Sequence, residues 1–207
     1  MHMPAFPARG LYAITDGPRT DLIAACAAAL EGGVCVLQYR DKSADHYRRH
    51  FEATGLAALC AHHQVPLIIN DDVELAAEIG AAGVHLGEDD ADIAAARKRL
   101  GRDAIIGVSC YDSLERARVT AAAGADYLAF GAFFASPTKP NARRATPDLL
   151  REARAFGKPL VAIGGITPDN APPLIDAGAD FIAAISGVFA ADDVKAATRR
   201  YANLFTK

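Results

Sequence analysis

The sequence predicts a single-domain α/β fold over residues 1–207: a (β/α)8 TIM barrel with phosphate-binding loops after strands seven and eight. Three observations predict it. Short apolar runs recur at intervals of roughly 20 to 30 residues, the spacing of βα units. Alanine-rich stretches with helical periodicity lie between them, at 20–31, 45–62, 113–123 and 147–155. Four junctions, "LEGGVCVL", "IGAAGVHL", "AAGADYLAF" and "DAGADFIAA", each end a helix with glycine and start a strand, which suggests a repeated unit.

The strands expected in order are 10–15, 34–39, 66–70, 83–87, 104–109, 127–134, 159–166 and 181–189. Most are apolar on both faces, as in a parallel sheet covered by helices. Alternation of strand and helix implies right-handed crossovers, and eight strands close a barrel. An open doubly wound sheet is the alternative. It calls for a glycine-rich turn after the first strand, where this chain has "TDGPRTD" with one glycine.

Catalytic groups of such a barrel sit at the carboxyl ends of the strands. Strand two ends in Gln38, Arg40 and Lys42, two residues apart and in phase with Val34 and Val36, so the three are expected on one face at the mouth. Two cations there suit a polyanion. Strand three ends in Asn70, Asp71 and Asp72, and strand four leads to Glu88, Asp89 and Asp90. Carboxylates beside cations suit Mg²⁺ on a pyrophosphate, since Mg²⁺ takes one or two protein carboxylates and completes its shell with phosphate and water. The competing role for Asp72 and Asp89 is helix N-capping.

Strand five ends at Ser109, and strand six leads into "FFASPTKP", which offers Ser136, Thr138 and Lys139. Strand seven ends in "AIGGITPDN", where paired glycines admit a ligand to the backbone and Thr167 and Pro168 read as N-cap and N1. Strand eight ends in "AISGVF". Loops after strands seven and eight commonly make a phosphate site from backbone N–H groups and a helix N-terminus. His85, mid-strand, reads as a satisfied core histidine, and Ser113 as a helix cap with Arg116 on the exposed face. Two anionic sites at one mouth imply an enzyme that joins two phosphorylated small molecules.

A net charge of −3 gives no support for a nucleic-acid or membrane partner. Cys26, Cys35, Cys60 and Cys110 are far apart, without a CxxC pair, and read as reduced core residues. No apolar run reaches the ~18 residues of a membrane span, and the N-terminus lacks a signal-like core; a cytoplasmic protein is expected. No residue pattern fixes an oligomeric state.

Together these motifs resemble the thiamine-phosphate synthase family, along nearly all of the chain from "LYAITD" to "ISGVF". "QYRDK" is similar to the family's Q-x-R-x-K, "IINDD" with "GVHLGEDD" to its paired acidic motif, "SPTKP" to its T-x-T-K loop, and "IGGI" and "AIS" to its thiazole-phosphate motifs. Glu88 stands where the family usually has Gln, and Ser136 where Thr is commoner. The resemblance implies coupling of 4-amino-5-hydroxymethyl-2-methylpyrimidine diphosphate to a thiazole phosphate, with release of pyrophosphate. It implies that Asp71 and Asp90 hold Mg²⁺ and that Gln38, Asn70 and Ser109 bind the pyrimidine. Arg40, Lys42 and Lys139 would be the catalytic cations on the pyrophosphate, and Ser136, Thr138, Gly165, Ile185 and Ser186 would bind the thiazole phosphate. Rival readings are a thiazole tautomerase of the same fold, which would not need the strand-two to strand-four cluster, and a non-catalytic sensor of phosphorylated metabolites.

Overall fold

Eight parallel strands close on themselves in sequence order, with β1 (Gly10–Ile14) paired to both β2 (Val34–Tyr39) and β8 (Phe181–Ala184). Between them run β3 (Leu67–Asn70), β4 (Gly83–Leu86), β5 (Ile105–Tyr111), β6 (Tyr127–Phe130) and β7 (Leu160–Ile163). The computed structural model describes residues 6–87, 92–134 and 144–206. Closure excludes the open sheet. Helices α1 (Leu22–Glu31), α2 (His46–His63), α3 (Val73–Glu78), α4 (Ile93–Leu100), α5 (Leu114–Ala122), α6 (Pro147–Ala153) and α7 (Pro172–Asp176) connect successive strands, while α8 (Ser186–Phe189) and α9 (Val194–Ala202) follow the last. No helix among the described residues is long and apolar enough to cross a membrane.

Alternation divides the apolar side chains into two cores. Leu11, Leu37, Ile69, Val84 and Leu128 face the helices, while Tyr12, Val36, Ile68, Tyr127, Val161 and Phe181 fill the barrel. Each such burial contributes roughly 1.5–3 kcal/mol before the entropy of ordering is counted. Phe6 closes the floor, stacked on Tyr127 at 4.9 Å and tilted against Phe181 at 5.0 Å. Cys26, Cys60 and Cys110 are buried and Cys35 half-buried, all as free thiols. Burial pushes the Cys26, Cys35 and Cys60 thiols up to about 12, so they stay protonated and inert.

Local sequence explains the element ends. Asp45, Asp72, Asp92, Ser113 and Asp193 cap helices by accepting from the backbone N–H three residues on. The helix-to-strand glycines take the conformation expected of them, as at Gly80 (φ +64°) and Gly124 (φ +99°). The repeated "GAD" after α5 and α7 acts alike in both copies. Asp126 accepts from Ile106 N at 2.7 Å and Arg97 at 2.6 Å; Asp180 accepts from Leu160 N at 2.8 Å and Arg154 at 3.0 Å. Each carboxylate ties the start of a strand to a helix at the barrel floor.

Several expectations are corrected. Cys35 is an extra residue in the β1–β2 ladder, which steps from Leu11↔Val34 to Tyr12↔Val36. The bulge puts Val34 on the outer core and Val36 on the inner, so the two do not share a face. β6 ends at Phe130 and β7 at Ile163, because their chains leave the sheet to form the mouth. The segment expected as strand 181–189 ends at Ala184 and turns into α8. Thr167 is not a helix cap: its N–H donates to Asn170 Oδ1 at 2.8 Å, and α7 begins only at Pro172.

Candidate active site

Beneath the mouth, polar side chains from five strands form one chain of hydrogen bonds. Gln38 Nε2 donates to Tyr12 Oη at 2.8 Å. Tyr12 Oη lies 2.7 Å from Tyr127 Oη, which lies 2.9 Å from His85 Nδ1, and His85 Nε2 lies 2.9 Å from Ser109 Oγ. Gly107 makes room for the central ring, since a Cβ there would sit 1.8 Å from Tyr127 Cζ. Burial pushes His85 down to about 4, against the opposing pull of Asp71, so the imidazole is neutral at pH 7. Burial raises the Tyr12 phenol, partly offset by its bonds to Tyr127 and Gln38, and burial likewise raises Tyr127. The whole chain is therefore uncharged. A cavity of about 40 Å³ opens above it, lined by Gln38, His85, Ser109, Tyr12 and Ile14.

Of the three residues expected on one face of β2, only Gln38 lies within the strand. β2 ends at Tyr39, so no ladder imposes alternation on residues 40–42. Their placement comes from two anchors. Thr15 Oγ1 accepts from Arg40 N at 2.8 Å. Asp41 is buried and meets Arg48 of α2 at 2.7 Å, while its other oxygen accepts from Ser43 N at 2.8 Å. Asp41 turns inward and Lys42 outward, where Lys42 Nζ reaches Asp71 Oδ2 at 3.6 Å.

Asp71 carries φ +62°, a left-handed conformation that costs an aspartate on the order of 1 kcal/mol. It is held there by its N–H donating to His85 O at 2.8 Å and by Asn70 Nδ2 donating to its Oδ2 at 2.6 Å. Strain of this kind concentrates at ligand sites. Asn70, Asp71 and Lys42 thus converge at the β2–β3 end. Asp72 faces away, capping α3 and pairing with Arg49 at 2.6 Å.

Asp71 Oδ1 accepts no hydrogen bond among the described residues, and no three metal-ligating side chains cluster there. A hard carboxylate oxygen with a free lone pair, next to a weakly paired lysine, suits Mg²⁺ bound mainly through phosphate and water. Asp90, with Glu88 and Asp89, lies outside the described residues, as do Ser136, Thr138 and Lys139. The stems of that second segment are placed: Phe134 N donates to Gly164 O and Ala145 N to Ala132 O, both at 3.0 Å. Phe134 and Ala145, on either side of it, thus both lie at the β6–β7 mouth.

Gly165 (φ +62°), Ile185 and Ser186 line the other side of the mouth. Two residues that the sequence reading did not select organise them. Asn170 Nδ2 donates to Gly165 O at 3.1 Å, and Tyr201 Oη donates to Ile166 O at 2.9 Å while filling the space over Gly187. Arg19 donates to Phe189 O at 2.8 Å and fixes the far end of α8. Arg116 is not on an exposed face: it is half-buried, with Nε donating to Ser109 O at 2.7 Å and Nη2 to Gly87 O at 2.9 Å, joining the ends of β4 and β5.

Comparison with known proteins agrees with this anatomy. The family model described as thiamine monophosphate synthase matches residues 11–188. The chain is 58% identical over 201 residues to the thiamine-phosphate synthase of Xanthomonas campestris pv. campestris (strain 8004), covering 97% of each chain. It is 55% identical to that of Nitrosococcus oceani, over 95% of this chain and 93% of that one. Among solved structures, the thiamine phosphate pyrophosphorylase of Pyrococcus furiosus superposes with a TM-score of 0.86 at 34% identity, covering 95% of both chains. The chain belongs to the thiamine monophosphate synthase family.

Proposed function

We propose that the chain joins 4-amino-5-hydroxymethyl-2-methylpyrimidine diphosphate to a thiazole phosphate, giving thiamine phosphate and pyrophosphate. The observation that carries this reading is the convergence of Lys42, Asn70 and Asp71 at the β2–β3 end, beside the cavity walled by Gln38 and Ser109. At about 40 Å³ the neutral cavity takes only the polar edge of a pyrimidine ring, whose diphosphate then reaches the charged rim. The Lys42–Asp71 pair is half open to water, so separating it for a ligand costs about 0–1 kcal/mol. A tautomerase acting on the thiazole phosphate alone would have no use for that cluster.

The reaction follows from the groups present. Gln38, Asn70 and Ser109 hold the pyrimidine. Its amino group feeds electrons into the ring, so the CH₂–O bond breaks to a resonance-stabilised cation. Arg40, Lys42 and Lys139 offset charge developing on the leaving pyrophosphate. Asp71 and Asp90 would hold Mg²⁺, which when bound adds further neutralisation of that leaving group. Backbone groups at Gly165, Ile185 and Ser186 anchor the thiazole phosphate, with Ser136 and Thr138 beside the thiazole, so that its ring nitrogen meets the cation. No protein nucleophile is required.

The test is pyrophosphate release by purified protein with both substrates and Mg²⁺, each omitted in turn. Release that needs all three, with equimolar thiamine phosphate, supports the reading. Binding of thiazole phosphate without any pyrophosphate release would replace it.

A further inference from the structure

Building on the pyrimidine diphosphate reading, we infer that Tyr12, Tyr127 and His85 are positioning residues that fix the hydrogen-bonding polarity of Gln38 and Ser109. In consequence the cavity selects a 4-aminopyrimidine over its 4-oxo counterpart.

The polarity follows from counting protons. Tyr12 Oη accepts from Gln38 Nε2, and its own proton must go to another oxygen. Among the described residues that partner is Tyr127 Oη, 2.7 Å away. Tyr127, having accepted, gives its single proton to His85 Nδ1. A neutral imidazole that accepts at Nδ1 carries its hydrogen on Nε2, which donates to Ser109 Oγ. The Ser109 hydrogen is left to the cavity that Ser109 lines.

With Gln38 Nε2 facing Tyr12 the reverse polarity fails at the other end; it would require the Gln38 amide turned over, so that Oε1 accepts from Tyr12. Ser109 would donate to Nε2, Nδ1–H to Tyr127, and Tyr127 to Tyr12. Tyr12 Oη would then accept twice, and its own proton would have no acceptor at a residue only 1% exposed. A buried hydroxyl without a partner is strongly disfavoured. The choice made at Gln38 is thus transmitted across the barrel, from β2 through β1, β6 and β4 to β5. The relay has the rigidity such transmission needs: Tyr127 is wedged between Phe6, Tyr12 and the His85 ring at centroid distances of 4.9, 5.8 and 5.7 Å.

A fixed Ser109 donor can be met only by an acceptor. The ring nitrogens of a 4-aminopyrimidine accept and its amino group donates, to which the remaining N–H and the carbonyl of Gln38 are complementary. In the 4-oxo compound a ring nitrogen carries hydrogen and the exocyclic oxygen accepts, so the Ser109 hydrogen loses the bare ring nitrogen that would accept it. Sites built on such complementarity reject the mismatched analogue by large factors, whereas shape alone discriminates weakly.

The first measurement is the tautomer of His85 in the ligand-free protein, by ¹⁵N NMR. Protonated Nε2 with bare Nδ1 is expected; the opposite tautomer overturns the inference without touching the synthase reading. The second is kcat/KM for the 4-amino and 4-oxo pyrimidine diphosphates in wild type and Tyr127→Phe. Wild type should prefer the amino compound by at least about a hundredfold. Tyr127→Phe removes the donor to Nδ1 and should narrow that preference about tenfold or more, with both His85 tautomers present. A merely structural role would slow both substrates equally, and an unchanged ratio overturns the inference. A wild type that turns over neither pyrimidine would overturn the synthase reading and the inference with it.

Discussion

Replacing Gly187 by alanine tests whether Tyr201 locks together the two loops proposed to hold the thiazole phosphate. The new Cβ would sit 2.1 Å from Tyr201 Oη and 3.1 Å from Cζ. Tyr201 is almost fully buried, and its hydroxyl is bonded to Ile166 O, so the ring has no free direction in which to swing. If it moves, the bond is lost and a buried carbonyl is left bare, at about 1–3 kcal/mol. If the backbone of α8 moves instead, overpacking costs about 1–3 kcal/mol. The variant should lose roughly 1–3 kcal/mol, which for a domain of this size lowers Tm by roughly 2–12 °C. Tyr201→Phe alone forfeits the bond, at about 1–2 kcal/mol, but removes the clashing oxygen. In that background Gly187→Ala should cost less than about 1 kcal/mol, a coupling of about 1 kcal/mol or more between the sites. Urea unfolding of the four proteins measures the cycle. The KM for thiazole phosphate should rise several-fold in Gly187→Ala while that for the pyrimidine diphosphate changes little. Additive free energies, or a KM effect confined to the pyrimidine, would refute the argument.

Three further outcomes are expected. Lys139→Ala should lower kcat by about two orders of magnitude or more with the fold intact by circular dichroism, in line with loss of a charge-neutralising group; near-normal turnover removes Lys139 from the mechanism. Asp71→Asn should move the Mg²⁺ dependence of pyrophosphate release to higher concentration, and an unchanged titration refutes its role as a ligand. The third concerns His85, whose folded pKa of about 4 lies below its unfolded value of about 6.5. Stability is therefore complete above the unfolded value and declines as pH falls toward the folded one, by up to ~3 kcal/mol. Urea midpoints between pH 7 and pH 4 should show this limb in wild type and lack it in His85→Gln; parallel curves for the two proteins would contradict it.

The fold was legible because its signals are local and repeated. Eight apolar runs, glycine stops and capping residues each act within a few positions, and the copies agree. What stayed hidden depends on pairing across the barrel. The bulge at Cys35 reverses the phase of β2, and only the registration of β1 against β2 reveals it. Tyr12 and Tyr127 sit in apolar runs and read as ordinary core residues; that their hydroxyls meet at 2.7 Å is a consequence of barrel closure. Had the barrel been taken as given, their inward phase with Ile14 and Ala129 was a usable signal. Arg116 looked like a surface residue because its helix is amphipathic, yet its long side chain reaches two strand ends. The rim residues were the most legible part of the site, since cations and acids at successive strand ends are conspicuous in an apolar sequence.

The site divides its polar groups by depth, and the division follows from dielectric environment. Charged residues such as Lys42 and Asp71 stand at the rim, where water weakens their pairing enough for them to be exchanged for phosphate. Carried into the barrel, the same charges would face a desolvation penalty of several kcal/mol each. The interior therefore uses neutral groups, whose information lies in direction. Direction is kept only where rotation is blocked, and close packing of Phe6 and Phe181 beneath Tyr127 supplies that block. The rim itself needs buried support to stay in place: Asp41 against Arg48 holds the loop bearing Arg40 and Lys42, and Tyr201 holds the loops opposite. On the proposed function, binding of two anions at one mouth and recognition of one uncharged ring would thus belong to separate layers of the barrel. It follows that substitutions in the relay should alter which pyrimidine is accepted, and substitutions at the rim how tightly its phosphates are held.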